Sequence, residues 1–94
     1  MKATKIKMKP SCGSSNDLIE IDEIHLSGSS HSLKEGFHKK AKIYDHLKIY
    51  SGTIQVDIYP YPDCIPAISV NSEKYVKSKP DSTQRDNLLK LPRV

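Results

Sequence analysis

Three leucines near the carboxy end, Leu88, Leu89 and Leu91, constrain what this chain can fold into more than any other feature. They follow a polar turn and are too apolar to be left in water. Burying each is worth about 1.5–3 kcal/mol, so the end of the chain is expected to fold back over a sheet as a clasp. The stretch that carries them, Lys74 to Pro92, opens with a short strand around Tyr75 and Val76. Lys79-Pro80 stops that strand, because the residue before a proline is pushed out of the helical region. Asp81, with Gln84 three residues on, has the spacing of a cap over a short helical turn.

The same stretch reads Lys-Tyr-Val-Lys-Ser-x-Pro-Asp-x-Thr-x-x-Asp-Asn-Leu-Leu-x-Leu-Pro. It resembles the closing signature of a family of short bacterial and phage proteins, domain of unknown function 3892. The residues that carry the resemblance are Tyr75, Lys77, Ser78, Asp81, Thr83, Asp86, Asn87, Leu88, Leu89, Leu91 and Pro92. Lys77 stands where arginine is common, and Arg93-Val94 follows the proline; neither breaks the pattern. The rest of the chain matches only in the order strands, middle helix, strands, clasp. The family has no established activity, so the resemblance implies architecture and not chemistry.

With 94 residues the chain has room for one domain and one core, spanning residues 1–94. It has no tryptophan and one phenylalanine, so isoleucine, leucine and five tyrosines must fill that core. The formal net charge of +4 is compatible with an acidic partner without requiring one. The basic start Met1-Lys2-Ala3-Thr4-Lys5 is not followed by an apolar run, which argues against a signal peptide. No segment approaches the ~20 apolar residues of a membrane span. A cytoplasmic protein with no membrane contact is expected. Cys12 and Cys64 are far apart and lack a second cysteine nearby, which fits two free thiols better than a disulfide.

Hydrophobic periodicity gives the elements. Thr4 to Lys9 alternates, with Ile6 and Met8 on one face and Lys5, Lys7 and Lys9 on the other, as in a half-buried strand. A row of lysines also suits a sheet edge. From Leu18 to Leu26 the parity changes: Ile19 and Ile21 share one phase, Ile24 and Leu26 the other. A bulge at Asp22-Glu23 would reset it. Ser32-Leu33-Lys34-Glu35 has the form of a capping box, and Leu33, Phe37, Ala41, Tyr44 and Leu47 recur at helical spacing. A long helix from Ser32 to a stop near Gly52 is therefore expected, with Lys34, His38, Lys39, Lys42, Asp45 and His46 on its polar face. Thr53 to Tyr59 is a clean alternating strand with Ile54, Val56 and Ile58 inward. Ile65 to Val70 follows as another, with Pro66 arguing for an edge strand or a first position, and Asn71-Ser72-Glu73 turns into the strand of Tyr75. The fold class is α+β in two layers. One mostly antiparallel sheet of four to five strands carries a helix on one face, its last three strands form a meander, and a C-terminal clasp closes it.

No set of residues supplies a catalytic constellation. The loop Gly28-Ser29-Ser30 before the expected helix offers amides to an anion, but it lacks the spacing of a phosphate loop or a dinucleotide site. His25 followed by Ser27 is half of a paired-histidine phosphoesterase pattern whose second copy is absent, so one histidine would have to serve as both acid and base. Cys12, Cys64, His25 and His31 contain no local ligand pair for zinc. Lys77, Asp81, Arg85 and Asp86 crowd the clasp, where capping and ion pairing explain them better than a polar site would. No catalytic residue, cofactor or metal is expected, and the chain is read as a non-enzyme. The first functional reading is a small interaction domain for a protein partner. The alternative is a nucleic-acid-binding accessory that uses Lys5, Lys7 and Lys9 on a strand face and Lys34, Lys39 and Lys42 on a helix face. Their sharing one side depends on topology that the pattern does not fix, and the oligomeric state is equally open.

Overall fold

The first strand, β1 (Lys2–Met8), buries Ala3, Ile6 and Met8 and leaves Lys5 and Lys7 in solvent. Ala3 and Ile6 differ in parity, and both point inward because Thr4 is an extra residue in the pairing with the second strand. In the computed structural model, which describes residues 1–30, 33–80 and 86–94, β1 runs antiparallel to β2 (Ile21–Ser27). Met8 faces Ile21 and Lys7 faces Glu23, so Asp22 is unpaired between them. This is the expected bulge, and it lets Ile21, Ile24 and Leu26 all enter the core. Leu18 to Glu20 is a 3-10 turn rather than the start of the strand, capped by the Asp17 carboxylate on the Ile19 amide at 3.0 Å.

The expected long helix is replaced by two elements. Gly36–Lys39 forms β3, an edge strand antiparallel to β2, and α1 occupies only Lys40–Ile49. The cause is Gly36, whose φ of +132° lies outside any helix and belongs to a region that glycine alone adopts readily. Phe37 and Ala41, expected on the buried stripe, are exposed, while Leu33 is buried from its loop. The buried face of α1 carries Lys40, Ile43, Tyr44, His46 and Leu47. The cap expected at Ser32 lies outside the described residues. Its partner Glu35 accepts instead from the Gly28 amide at 3.0 Å.

The strands after the helix do not form a meander. β4 (Gln55–Val56) pairs parallel with β1, matching Lys2 with Gln55 and Ala3 with Val56. The alternation of Ile54 and Val56 is honoured, since both are fully buried. β4 ends at Val56, and the last bond from this segment to β1 runs from Asp57 N to Ala3 O at 2.9 Å. β1 is therefore an interior strand in the order β3-β2-β1-β4, and not the edge that its lysines suggested. The last two strands, β5 (Cys64–Ile68) and β6 (Lys74–Ser78), make a separate antiparallel ribbon. It is tied to the first sheet where Cys64 N donates to Ile54 O at 2.8 Å. α1 packs chiefly on this ribbon. The class remains α+β with a mostly antiparallel sheet, as the element order indicated.

Pro66 has the edge position expected of it. Cys64 N turns away from β6 to reach Ile54 O, and Ser69 N turns toward β6 to reach Glu73 O. Residue 66 shares the outward phase of Cys64, so the missing proline amide falls on the unpaired side of β5.

The chain closes as a clasp. Asn87–Lys90 is a 3-10 turn that buries Asn87, Leu88 and Leu89, and Leu91 is buried after it. Beyond Pro92 the chain lies against β1, where Ile6 N donates to Pro92 O at 2.9 Å.

Candidate functional site

Two of the signature residues, Asp86 and Ser78, hold the clasp in place. Asp86 accepts from the Leu88 amide at 2.8 Å and from the Ser78 amide at 3.0 Å, so one carboxylate caps the turn and fastens it to β6. Ser78, buried, takes the Asn87 amide on its hydroxyl at 3.2 Å. Lys77 and Tyr75 are half-buried on β6. Asp81, Thr83 and Arg85 lie outside the described residues. A groove of about 700 Å³ between Leu18–Glu20 and the clasp is lined by Asp17, Leu18, Ile19, Tyr75, Asp86 and Leu89. Both of its carboxylates accept backbone amides.

The candidate cysteines and histidines are likewise engaged. Cys64 is buried, and desolvation pushes its thiol up to about 12. Cys12 donates its thiol to Glu20 at 2.8 Å, and that hydrogen bond to a carboxylate raises its pKa and lowers that of Glu20. His25 Nδ1 lies 2.7 Å from the Thr4 hydroxyl. His46, expected in solvent, is buried, with Nε2 3.1 Å from the Thr53 hydroxyl. His38 is half-buried on β3 and not on a helix. The loop Gly28-Ser29-Ser30 leads into β3 and not into a helix, so its expected helix-terminus amides are absent. His31 lies outside the described residues, and among the described residues no group of three or more His, Cys, Asp or Glu side chains could hold a metal.

The lysines separate into three environments. Lys9 pairs with Glu73 at 2.8 Å. Glu73 also accepts from the buried Lys40, whose Nζ donates further to Ile19 O, so this cluster joins the residue after β1, the 3-10 turn at Leu18–Glu20, α1 and the β5–β6 turn. Its two ammonium groups hold the Glu73 carboxyl down to about 2. Lys34 is exposed before β3, and Lys42 is exposed on α1, away from the sheet. Lys5, Lys7 and Lys39 share the outward face of the four-stranded sheet.

Strand register arranges that face into rows. Lys5, His25 and Phe37 stand side by side across β1, β2 and β3, and Lys7, Glu23 and Lys39 form the next row. On the other side of the first row, Lys2 pairs with Ser27 and Gln55. Its Nζ sits 4.5 Å from the centre of the Tyr61 ring. His25 and Phe37 meet edge to face at 5.1 Å, and Tyr59 and Tyr61 meet similarly at 6.1 Å. Lys39 is held by Asp22 at 3.0 Å and Glu23 at 3.7 Å, and the Asp22 hydrogen bond raises its pKa. Among the described residues no carboxylate lies within 4.0 Å of Lys2, Lys5 or Lys7. Of the six lysines singled out in the sequence, two thus stand free on one sheet face, a third stands there already paired, and the other three lie elsewhere. Lys2 and Phe37 escaped sequence reasoning as site residues, and His25 was weighed there for phosphoester chemistry and zinc rather than for this face. The lone usable signal for the strand group was alternation of exposed residues, and the Thr4 bulge and unseen β3 obscured it.

The fold and this face define a small α+β domain with a basic, aromatic-flanked sheet surface and a C-terminal clasp. A family described as "Protein of unknown function (DUF3892)" matches residues 2–92 of the 94, and the chain belongs to it. Searches of curated proteins and of solved structures return no match. Among the described residues no helix is long and apolar enough to cross a membrane.

Proposed function

We propose that this protein is a non-catalytic binding domain that takes an anionic partner on the outward face of β3-β2-β1-β4. The observation that carries the proposal is that Lys2, Lys5 and Lys7 line one strand, with no carboxylate within 4.0 Å among the described residues. The carboxylates of Asp22 and Glu23 nearby are both turned to Lys39. A row of cations on a rigid strand attracts a polyanion without having to order flexible loops first. Binding rather than catalysis is favoured because the described thiols are poor nucleophiles, one buried and the other hydrogen-bonded to a carboxylate. A cytoplasmic location, and a bacterial or phage setting, belong to the same reading.

Retention on a heparin column tests the surface. Replacing Lys5 and Lys7 by glutamine should move elution to lower salt, while replacing Lys42 and Lys48 on α1 should leave it near wild type. A larger shift from the helix pair would locate the anion site elsewhere and defeat the proposal.

A further inference from the structure

We propose that the partner is a single-stranded nucleic acid, its phosphates on the β1 lysines and its bases stacked on Phe37, across the sheet from Lys5, and on Tyr61, beside Lys2. The inference rests on the outward sheet face being the anion-binding surface, and it adds the partner's chemistry. Charge alone would suit an acidic protein or a duplex equally well. The rings discriminate. Phe37 is 39% exposed on a strand face where a polar residue would be expected, and the edge of His25 braces it from the neighbouring strand. Beside Lys2, Tyr61 is 47% exposed, and its neighbour Tyr59 is 82% exposed. Tyr61 is held at a φ of +61°, a conformation uncommon for a bulky residue, with its ring beneath the Lys2 ammonium.

Phe37 thus flanks Lys5 across the sheet, and Tyr61 flanks Lys2 at the start of β1. Lys5 and Lys7 are two residues apart on a strand, so their side chains emerge about 6.6 Å from each other along it. That repeat can follow the backbone of an extended nucleic-acid strand, whereas paired bases in a duplex have no free faces to offer Phe37 or Tyr61. Every base has a π-face, so the site would be tolerant of sequence.

The test uses the full chain, a labelled oligothymidylate, a DNA duplex of equal length, and fluorescence anisotropy over a salt series. Wild-type protein should bind the single strand more tightly than the duplex. Phe37→Leu keeps apolar bulk at the position while removing the ring. It should weaken single-strand binding about 5- to 150-fold, with heparin retention unchanged. Lys5→Gln should reduce the slope of log K against log salt by about 0.7. Circular dichroism of each variant checks that the fold is intact. Equal affinity for duplex and single strand, or a Phe37→Leu protein that binds oligothymidylate like wild type, overturns this proposal. Heparin retention that depends on Lys5 and Lys7, without affinity for oligothymidylate, also overturns it. That last result leaves the anion-binding face standing and points to an acidic protein.

Discussion

Ile6 and Arg93 are parallel strand neighbours: Ile6 N donates to Pro92 O at 2.9 Å, and Val94 N donates to Ile6 O at 3.1 Å. β4 covers the flank of β1 only at Lys2 and Ala3, and the end of the chain covers it again at Ile6. Arg93 adds guanidinium hydrogen bonds to Gly13 O and Ser15 O, which pin the β1–β2 connection. The buried leucines deliver the chain to this position.

Leu88 is fully buried among the leucines and isoleucines of the core. Leu88→Ala should cost about 2–5 kcal/mol, the range for a large aliphatic side chain removed from a packed interior. Urea unfolding will show this as a lower midpoint at constant slope. An unchanged midpoint would mean that the clasp is not part of the cooperative unit.

Asp86 satisfies two backbone amides on different elements. Asp86→Ala should cost about 1–3 kcal/mol, as a lost cap plus a second unpaired amide. Asp86→Asn retains one carbonyl oxygen and should cost less. Equal losses for the two variants in chemical denaturation would show that charge, and not acceptor geometry, matters at this position.

Glu73 gives a pH signature. Its folded pKa is lowered from 4.5 to about 2, first by the Lys40 hydrogen bond and then by that of Lys9. The folded state favours the ionised form, so this contribution is complete above about 4.5 and is lost as pH falls toward about 2. Glu73→Gln should flatten the thermal stability profile across that window. A profile as steep as wild type would place the acid sensitivity elsewhere.

The two thiols should differ in reactivity. Cys64, buried and pushed up to about 12, should react with a disulfide reagent only on unfolding, whereas half-buried Cys12 should react in the native state. The Glu20 carboxylate raises the Cys12 pKa, so Glu20→Gln should speed native-state labelling. Slower labelling would contradict the assigned hydrogen bond.

Gly36 separates the two readings of the middle of the chain. Nothing lies within 4 Å of the position a Cβ would occupy, so Gly36→Ala should act through the backbone alone. With φ at +132° it should cost about 1–3 kcal/mol by thermal or urea unfolding. A helix through this position would instead gain stability from alanine.

The clasp leucines, the bulge at Asp22 and the ribbon strands around Pro66 and Tyr75 were legible because each is set by local pattern: apolar surface that needs cover, a change of parity, a missing amide. The middle was not. Leu33, Phe37, Ala41, Tyr44 and Leu47 fall at helical spacing by coincidence, and the lone contrary sign was a glycine that a helix tolerates at about 1 kcal/mol. The burial of Lys40 left no mark in the local pattern, because it depends on Glu73, a partner 33 positions away. The sheet face was half legible: alternation put Lys5 and Lys7 outside, but only cross-strand register sets Phe37 and His25 beside them. Register is a tertiary property, and the extra residues at Thr4 and Asp22 shift it twice.

The missing amide of Pro66 bears on how copies of this protein behave in a crowd. An incoming strand that tried to zip onto the open side of the ribbon would find Cys64 already engaged and a ring where the next donor should be. Self-templated stacking along that border is interrupted at its midpoint, which protects the folded chain from sheet-to-sheet clumping.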